Sequence, residues 1–499
     1  MPNRSPLAPG TGAAPPPAAD ASHGVAKLGV PLAAVAAVAC VAQFMVVLDS
    51  SIVNVALPAM KAGLGLSASA QQWVVNGYLV AFGGLLLFAA RAGDLFGRRR
   101  VFQIGLTVFS AASLAGGLAQ DGWMLLAARV VQGAGAAALA PSSLSLITAS
   151  HTEPGQRTRA MTWWGVAASS AGAAGIVIGG LLASVSWRWV MLVNVPISAG
   201  LLVASLTWLA PTATGQRRSR IDLPGALTVT LSAASLVYGV AAAPAAGWGA
   251  ARVVAALAAG VLLLAAFVAV ERRSGAPLVP LGIFSVANVR MGNVLTLCMG
   301  AVITAPLFFL SLYLQQALGQ SAVRTGLSLL PMVAVISVGV LLSQKLIPVV
   351  GARRLVVIGG TVAAAGLVWV GQLPVRSDYL PHVLLPTVVV GAGTSVTMMP
   401  AIVASTAGID PRDAGVASGL LNMCRQLGAA LGLAVLATVA AGVTSHSGSG
   451  GTAAVVDGYR VAFYGLAVLA LVTAALALRL KPAPDAPDAP AAPKPADAA

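Results

Sequence analysis

The sequence predicts an all-α integral membrane protein of fourteen spanning helices. Composition is the first observation: of 499 residues, 58% are hydrophobic and only 9% charged, and the mean hydropathy is +0.88, a balance no soluble domain of this length shows. Length is the second, because about 20 mostly apolar residues cross a bilayer and the chain offers run after run of that size. The third is the placement of cations, which gather in alternate connections between the runs.

In order, the runs cover 32–57, 72–91, 101–119, 123–148, 160–183, 189–209, 223–243, 251–270, 291–315, 325–345, 354–373, 383–407, 417–442 and 459–479. Residues 1–30 and 481–499 are Pro/Ala-rich and nearly free of bulky apolar residues, so both read as disordered tails. The first tail lacks the apolar core of a signal peptide. Arg91 and Arg98 to Arg100 follow the second run, Arg157 and Arg159 the fourth, and Arg217, Arg218 and Arg220 the sixth. Arg272, Arg273 and Arg290 follow the eighth, Lys345, Arg353 and Arg354 bracket the end of the tenth, and Arg412 follows the twelfth. The intervening connections hold only Lys61, Arg188, Arg252, Arg324, Arg376 and Arg460. Positive loops stay inside, so both termini are expected in the cytoplasm and the protein in the plasma membrane. The formal charge of +15 then reports topology and contact with anionic membrane lipids, and no nucleic-acid partner is expected. Cys40, Cys298 and Cys424 fall within spans and the four histidines are scattered, so no disulfide framework, metal site or Cys/His nucleophile is on offer, and the chain does not read as an enzyme.

An internal repeat organises the spans. GRRRVFQIG, Gly97 to Gly105, returns as GARRLVVIG, Gly351 to Gly359, eight helices later. QGAGAAALAP in the fourth run has a looser counterpart, VGAGTSVTMMP, in the twelfth. Two six-helix halves, 31–210 and 276–480, are thus expected, joined through two extra helices in 211–275. Paired repeats are the architecture of transporters that bind substrate between them.

Five motifs fall in matching order: LDSSIVNVALP in the first run, RAGDLFGRRR after the second, RVVQGAGAA in the fourth, WRWVMLVNVP at the sixth and SGLLNMCRQLG in the thirteenth. Together they resemble the major facilitator superfamily, in its fourteen-helix branch of proton-coupled drug antiporters, from about Val30 to Leu480. Two positions depart from that pattern: Leu95 stands where a basic residue is usual in the loop motif, and Ile176 replaces the proline of the fifth-helix antiporter motif in GIVIGG. The resemblance implies a secondary efflux transporter that exports amphipathic drugs or antibiotics in exchange for protons by alternating access. It also implies that Asp94, Gly97, Arg98 and Arg99 form a cytoplasmic gate. Physically, Asp94 and the arginines can cap helix ends and pair across the inner face, while Gly97 permits a tight turn; a purely topogenic basic loop is the plainer alternative.

Asp49 is the one carboxylate well inside a run. By the helical rise it lies about 12 Å inside the outer end of its helix, and Arg129 about 9 Å inside the end of the fourth, at similar depth. Burial and a nearby arginine push a carboxylate's titration in opposite directions, so Asp49 is the candidate proton carrier with Arg129 as its modulator; a static ion pair between the two helices is the alternative. Gln43, Ser50 and Asn54 share a face of the first helix, about 100° from Asp49, either lining a cavity or binding a neighbouring helix. Asn422, Arg425 and Gln426 share a face of the thirteenth. No carboxylate in that half is an obvious partner for Arg425, which leaves carbonyls, water or substrate. The candidate substrate-binding set is Gln43, Asn54, Tyr78, Gln132, Asn422, Arg425 and Gln426. No cofactor is expected: the chain has no phosphate-binding GxxxxGK[ST], and a charge crossing about 100 mV is worth roughly 2.3 kcal/mol. The expected partners are a small amphipathic substrate, protons and lipid, and the protein is expected to act as a monomer. The alternatives are a dedicated exporter of one neutral or anionic metabolite, and a non-transporting membrane sensor or scaffold.

Overall fold

The computed structural model describes residues 32–480 except 152, 210–221, 376–377, 407–408, 410–413 and 448–450. Both tails, and Arg217, Arg218, Arg220, Arg376 and Arg412, lie outside the described residues. The described residues form fourteen long helices and no strand. They are α1 (Leu32–Leu64), α2 (Ala68–Phe96), α3 (Arg98–Gly117), α4 (Gly122–Ser150), α5 (Pro154–Val185), α6 (Trp187–Trp208, broken at Val193) and α7 (Leu223–Ala246). Then follow α8 (Ala251–Arg273), α9 (Ala287–Ala317, ending in a π turn), α10 (Ala322–Val350), α11 (Ala352–Val370), α12 (Leu380–Thr406, starting on a π turn), α13 (Ala414–His446) and α14 (Thr452–Ala477). Thirteen are long and apolar enough by themselves to cross a membrane; α3, which opens on three arginines, is the other.

Most helices outrun the apolar segments that announce them. At 1.5 Å per residue the 33 residues of α13 span about 50 Å, against about 30 Å of hydrocarbon. The extra turns carry polar side chains into the headgroup layer without interrupting the backbone bonds.

Packing repeats with an eight-helix offset. α1 lies along α5 as α9 lies along α13; α2 and α3 pack on α4 as α10 and α11 pack on α12; α6 covers α3 as α14 covers α11. The contacts are made at matching glycines. Gly105 and Gly135 bring α3 and α4 backbone to backbone, and Gly359 and Gly393 do the same for α11 and α12. Gly175 and Gly179 seat α5 on α1, where a methyl at Gly175 would lie 3.1 Å from the Leu48 carbonyl; Gly428 and Gly432 seat α13 on α9. Gly97 and Gly351 each end one helix and begin the next, at φ 95° and 86°, a conformation that a Cβ disfavours.

The first and last six helices meet through α2 on α13 and α5 on α10, a pair of contacts that the same offset exchanges. α7 and α8 pack on each other, and α7 leans on α2 and α13. Gly83 and Gly84 divide the labour on α2: the first faces Gln426 and Leu427 of α13, the second Thr230 of α7.

Two prolines contribute to these seams. A proline inside a helix has no N–H for the carbonyl four residues back. Pro58 therefore frees the Asn54 carbonyl, which accepts a hydrogen bond from Ser311 Oγ of α9 at 2.9 Å. Pro244 frees the Val240 carbonyl, which accepts from Thr438 Oγ1 of α13 at 2.9 Å. Gln315 Nε2 adds a bond to the Val55 carbonyl at 2.9 Å, and Ser337 Oγ one to the Ser169 carbonyl at 3.3 Å. Calling the face with Arg91, Arg98 to Arg100, Arg272, Arg273, Arg353 and Arg354 the basic face, these bonds between α1–α6 and α9–α14 run from mid-bundle to the opposite face. The glycines Gly180 and Gly326, against Ala322 and Ile176, tighten the same region.

Candidate transport site

Asp49 sits in the middle of α1, on the side turned into the first six helices, with no solvent exposure. Arg129 of α4 donates from Nη1 to Asp49 Oδ2 at 2.7 Å and to Gln132 Oε1 at 2.6 Å. Gln132, one turn further along α4, donates from Nε2 to Asp49 Oδ1 at 2.8 Å. Asn194 of α6 donates to the same oxygen at 2.8 Å. Ser113 of α3 accepts from both amides, at 3.1 Å each, and passes its own proton to the Met191 carbonyl at 2.7 Å. Arg129 Nε donates to the Val74 carbonyl of α2 at 3.0 Å, and its guanidinium lies 4.3 Å above the Tyr78 ring. Side chains of α4 and α6 thus bond both oxygens of one carboxylate on α1, and α2 and α3 bond those side chains in turn.

Such a network meets the demand that buried charges be paired and their remaining hydrogen-bonding capacity filled. Asn194 owes its place to the break at Val193, which starts a new helical segment directly beside Asp49. Its Oδ1 and both polar atoms of buried Asn76 have no partner among the described residues.

The polar face of α1 turns elsewhere. Ser50 Oγ bonds to the Val47 carbonyl and Asn54 Nδ2 to the Ser50 carbonyl, both within α1, while Gln43 Oε1 and Asn54 Oδ1 are buried without partners. Asn54 reaches α9 through its backbone carbonyl rather than its amide. On α13, Arg425 Nη2 donates to Asn422 Oδ1 at 3.2 Å, its one hydrogen bond among the described residues. Asn422 is exposed and Arg425 half-buried, whereas Gln426 is buried against Gly83.

At the basic face, Asp94 and Arg98 approach at 3.6 Å, both partly exposed, an ion pair of little strength in that setting. Arg98 also donates to the Ser145 carbonyl of α4 at 3.1 Å, and Arg99 to the Leu206 carbonyl of α6 at 3.0 Å. All these bonds stay within the first six helices. Asp94, Arg98 and Arg99 make no ion pair with the last six helices among the described residues.

A repeated helical bundle with one buried, fully bonded charge pair defines a polytopic membrane transporter rather than an enzyme. The sequence profile of the Major Facilitator Superfamily matches residues 39–433, and the chain belongs to that family. It is 43% identical, over 88% of its length and 90% of the relative's, to the cephamycin export protein CmcT of Amycolatopsis lactamdurans. To the puromycin resistance protein pur8 of Streptomyces alboniger it is 41% identical over 87% of this chain and 88% of that one. Among solved structures, a D-xylose-proton symporter superposes with a TM-score of 0.65 at 14% identity, covering 90% of this chain and 98% of that one. The inward-open xylose transporter XylE of E. coli gives 0.63 at 12%, covering 91% and 97%. At such identities these likenesses show the fold alone.

Ser113 and Asn194 escaped the sequence reading. Asn194 lies inside the quoted WRWVMLVNVP stretch, so its signal was a polar residue in an otherwise apolar motif; Ser113 is indistinguishable from the many serines that serve helix packing.

Proposed function

We propose that the protein exports amphipathic, antibiotic-like molecules from the cytoplasm in exchange for protons by alternating access. One observation carries the reading: Asp49, among the described residues the only carboxylate in the middle of the bundle, is ionically paired, completely enclosed and placed where several helices must move together to expose it. Relatives named for export of, or resistance to, cephamycin, puromycin and lincomycin support the substrate class. In this reading the protein lies in the plasma membrane, with the basic face and both termini cytoplasmic. The two six-helix halves rock about the α2–α13 and α5–α10 seams. With the opposite-face seam bonded as it is, substrate would enter from the cytoplasm, past Asn422 and Arg425, toward Gln43, Asn54, Tyr78, Gln132 and Gln426, which are buried in this form and would be uncovered as the halves part.

Proton coupling then follows from exclusion. Enclosed by Arg129, Gln132 and Asn194, Asp49 cannot exchange a proton with water; opening toward the opposite face would have to break that shell and admit water. A proton taken there neutralises the carboxylate, releases Arg129 toward the cavity and favours discharge of bound substrate. In the closed form of the basic face, Asp94, Arg98 and Arg99 would supply the gate. The work requires no cofactor and one chain suffices. Purified protein in proteoliposomes, challenged with a panel of antibiotics and dyes, should release protons in step with substrate movement; movement without proton flux would remove the coupling.

A second reading, a dedicated exporter of one anionic or strongly polar metabolite, is favoured by Arg425, whose guanidinium has only an amide oxygen as partner. Arg425→Ala should then weaken transport of carboxylate-bearing compounds at least tenfold while leaving neutral ones within about twofold, the range that a charged hydrogen bond supplies. A uniform loss across substrates would assign Arg425 to packing.

A further inference from the structure

The inserted helices carry a second pair of buried acids. Asp222 caps α7, its Oδ1 accepting the Gly225 N–H at 2.8 Å. Glu271, in the last turn of α8, accepts the Val279 N–H on Oε2 at 3.0 Å, and a further bond from Leu278. Both side chains press on Gly225: a methyl there would lie 2.7 Å from Glu271 Oε1 and 3.1 Å from Asp222 Oδ1. Asp222 is 6% exposed and Glu271 4%. An independent observation points to what joins them. Each carboxyl has one oxygen bonded to the backbone and one, Asp222 Oδ2 and Glu271 Oε1, buried with no partner among the described residues.

Among the described residues, the charged groups that act on Glu271 are Asp222 from α7 and Arg91 from α2; the described part of α13, which also packs on α7, adds none, Arg272 and Arg273 beside it on α8 are exposed, and Arg217, Arg218 and Arg220, which precede Asp222 in the sequence, lie outside the described residues. Arg91 does not form an ion pair with either acid and instead donates to the Pro277 carbonyl at 3.3 Å. Two carboxyls that press on the same glycine away from water are placed to share one proton.

We propose that Asp222 and Glu271 hold one proton between their two free oxygens, forming a second protonation site, separate from Asp49, that clasps α7 and α8 to the connector entering α9. The connector is held at Val279 and Leu278 by Glu271, and at Pro277 by Arg91. Loss of the proton, an O–H bond given up to water as the pH rises, leaves two negative charges facing each other; the carboxyls separate and the connector is freed. The clasp is therefore present at low pH and lost as pH rises. It places a pH response outside the transport pathway, in the two helices that the repeat does not account for.

Infrared difference spectra of the full-length protein in nanodiscs across a pH titration would test it. A protonated-carboxyl band is expected that survives Asp49→Asn but is abolished or shifted by Asp222→Asn and by Glu271→Gln. Accessibility gives a second readout: with Cys40, Cys298 and Cys424 replaced by Ala, Leu278→Cys, buried at 2%, should label several-fold faster as pH rises. Adding Glu271→Gln, neutral at every pH, should flatten that dependence. A spectrum without a band assignable to either acid near neutral pH would overturn the proposal, as would pH-independent labelling of Leu278→Cys. So would stabilisation at fixed pH by sodium, potassium or calcium with no such band, which would make the occupant a metal cation. If Glu271→Gln does not fold, the band's response to Asp222→Asn decides.

Discussion

At the scale of single residues, the centre of the molecule is a carboxylate that accepts three hydrogen bonds, one on Oδ2 and two on Oδ1. Asp49→Asn removes the negative charge at nearly constant shape and strands the buried guanidinium of Arg129, a loss of about 3–5 kcal/mol for a broken buried pair. Adding Arg129→Gln should recover much of that stability, because removing both charges costs less than removing one. Thermal unfolding in detergent measures this half of the prediction. If Asp49 carries the coupled proton, neither variant will concentrate substrate into inverted vesicles in response to a pH gradient; retained pH-driven uptake would return Asp49 to a structural role. Asn194→Ala, removing one of the amides on Asp49 Oδ1, should cost about 1.5–3 kcal/mol yet leave coupling in place. Asp49 and Arg129 were legible in the sequence because charge is rare inside a span and its cost demands a partner. Ser113 and Asn194 were not, because neutral polar residues are cheap enough in a helical bundle to occur for many reasons.

At the scale of helices, sequence reading finds existence well and ends poorly. All fourteen spans are present, since each needs only a sustained apolar run, but α1 continues to Leu64 beyond Pro58 and α14 begins at Thr452, ahead of its expected start. Apolarity reports where lipid lies, whereas a helix ends where its backbone bonds are capped, as Gly97 and Gly351 show. The loop repeat was visible because arginines flank a glycine; the correspondence of Gly175 and Gly179 with Gly428 and Gly432 was hidden in segments whose other residues differ. It became visible only as a shared spacing against α1 and α9. These glycines admit a direct test. A methyl at Gly135 would lie 2.7 Å from the Phe109 nitrogen, and backbone cannot step aside as a side chain can. Gly135→Ala and Gly393→Ala should each destabilise the protein by about 1–3 kcal/mol through overpacking. Gly200→Ala, with nothing within 4 Å, should leave the melting temperature unchanged or slightly raised. Equal effects at all three positions would show that the close helix contacts carry no particular weight.

At the scale of the whole molecule, the bonds between the two sets of six helices gather away from the basic face, and transport by alternating access requires that seam to part. A bridge across it should therefore arrest the cycle. Ser169→Cys with Ser337→Cys places two thiols at a contact where the Ser337 hydroxyl already lies 3.3 Å from the Ser169 carbonyl. Oxidation should reduce export by at least tenfold and a reductant should restore it, while binding of substrate from the basic face survives. Unimpaired export with the bridge formed would mean that this seam is static and that access is controlled elsewhere.

Pro58 gives that seam an unusual origin. A carbonyl already bonded within its helix keeps a second lone pair, as the Val55 and Ser169 carbonyls show by accepting from α9 and α10; at Asn54 the missing rung leaves the whole oxygen to Ser311. Perfection of the secondary structure and cohesion of the halves are therefore in competition. Pro58→Ala would return an N–H to α1, worth up to about 3 kcal/mol to a helix interior, and in doing so would make Ser311 share its acceptor and weaken that bond. The variant should melt at a higher temperature and yet spend more of its time parted at the opposite face, seen as faster labelling of Thr325→Cys, which is fully enclosed when the seam is shut. A mutation that improves the part would thus shift the balance of the whole, and the resting state of the transporter would be recorded in a defect.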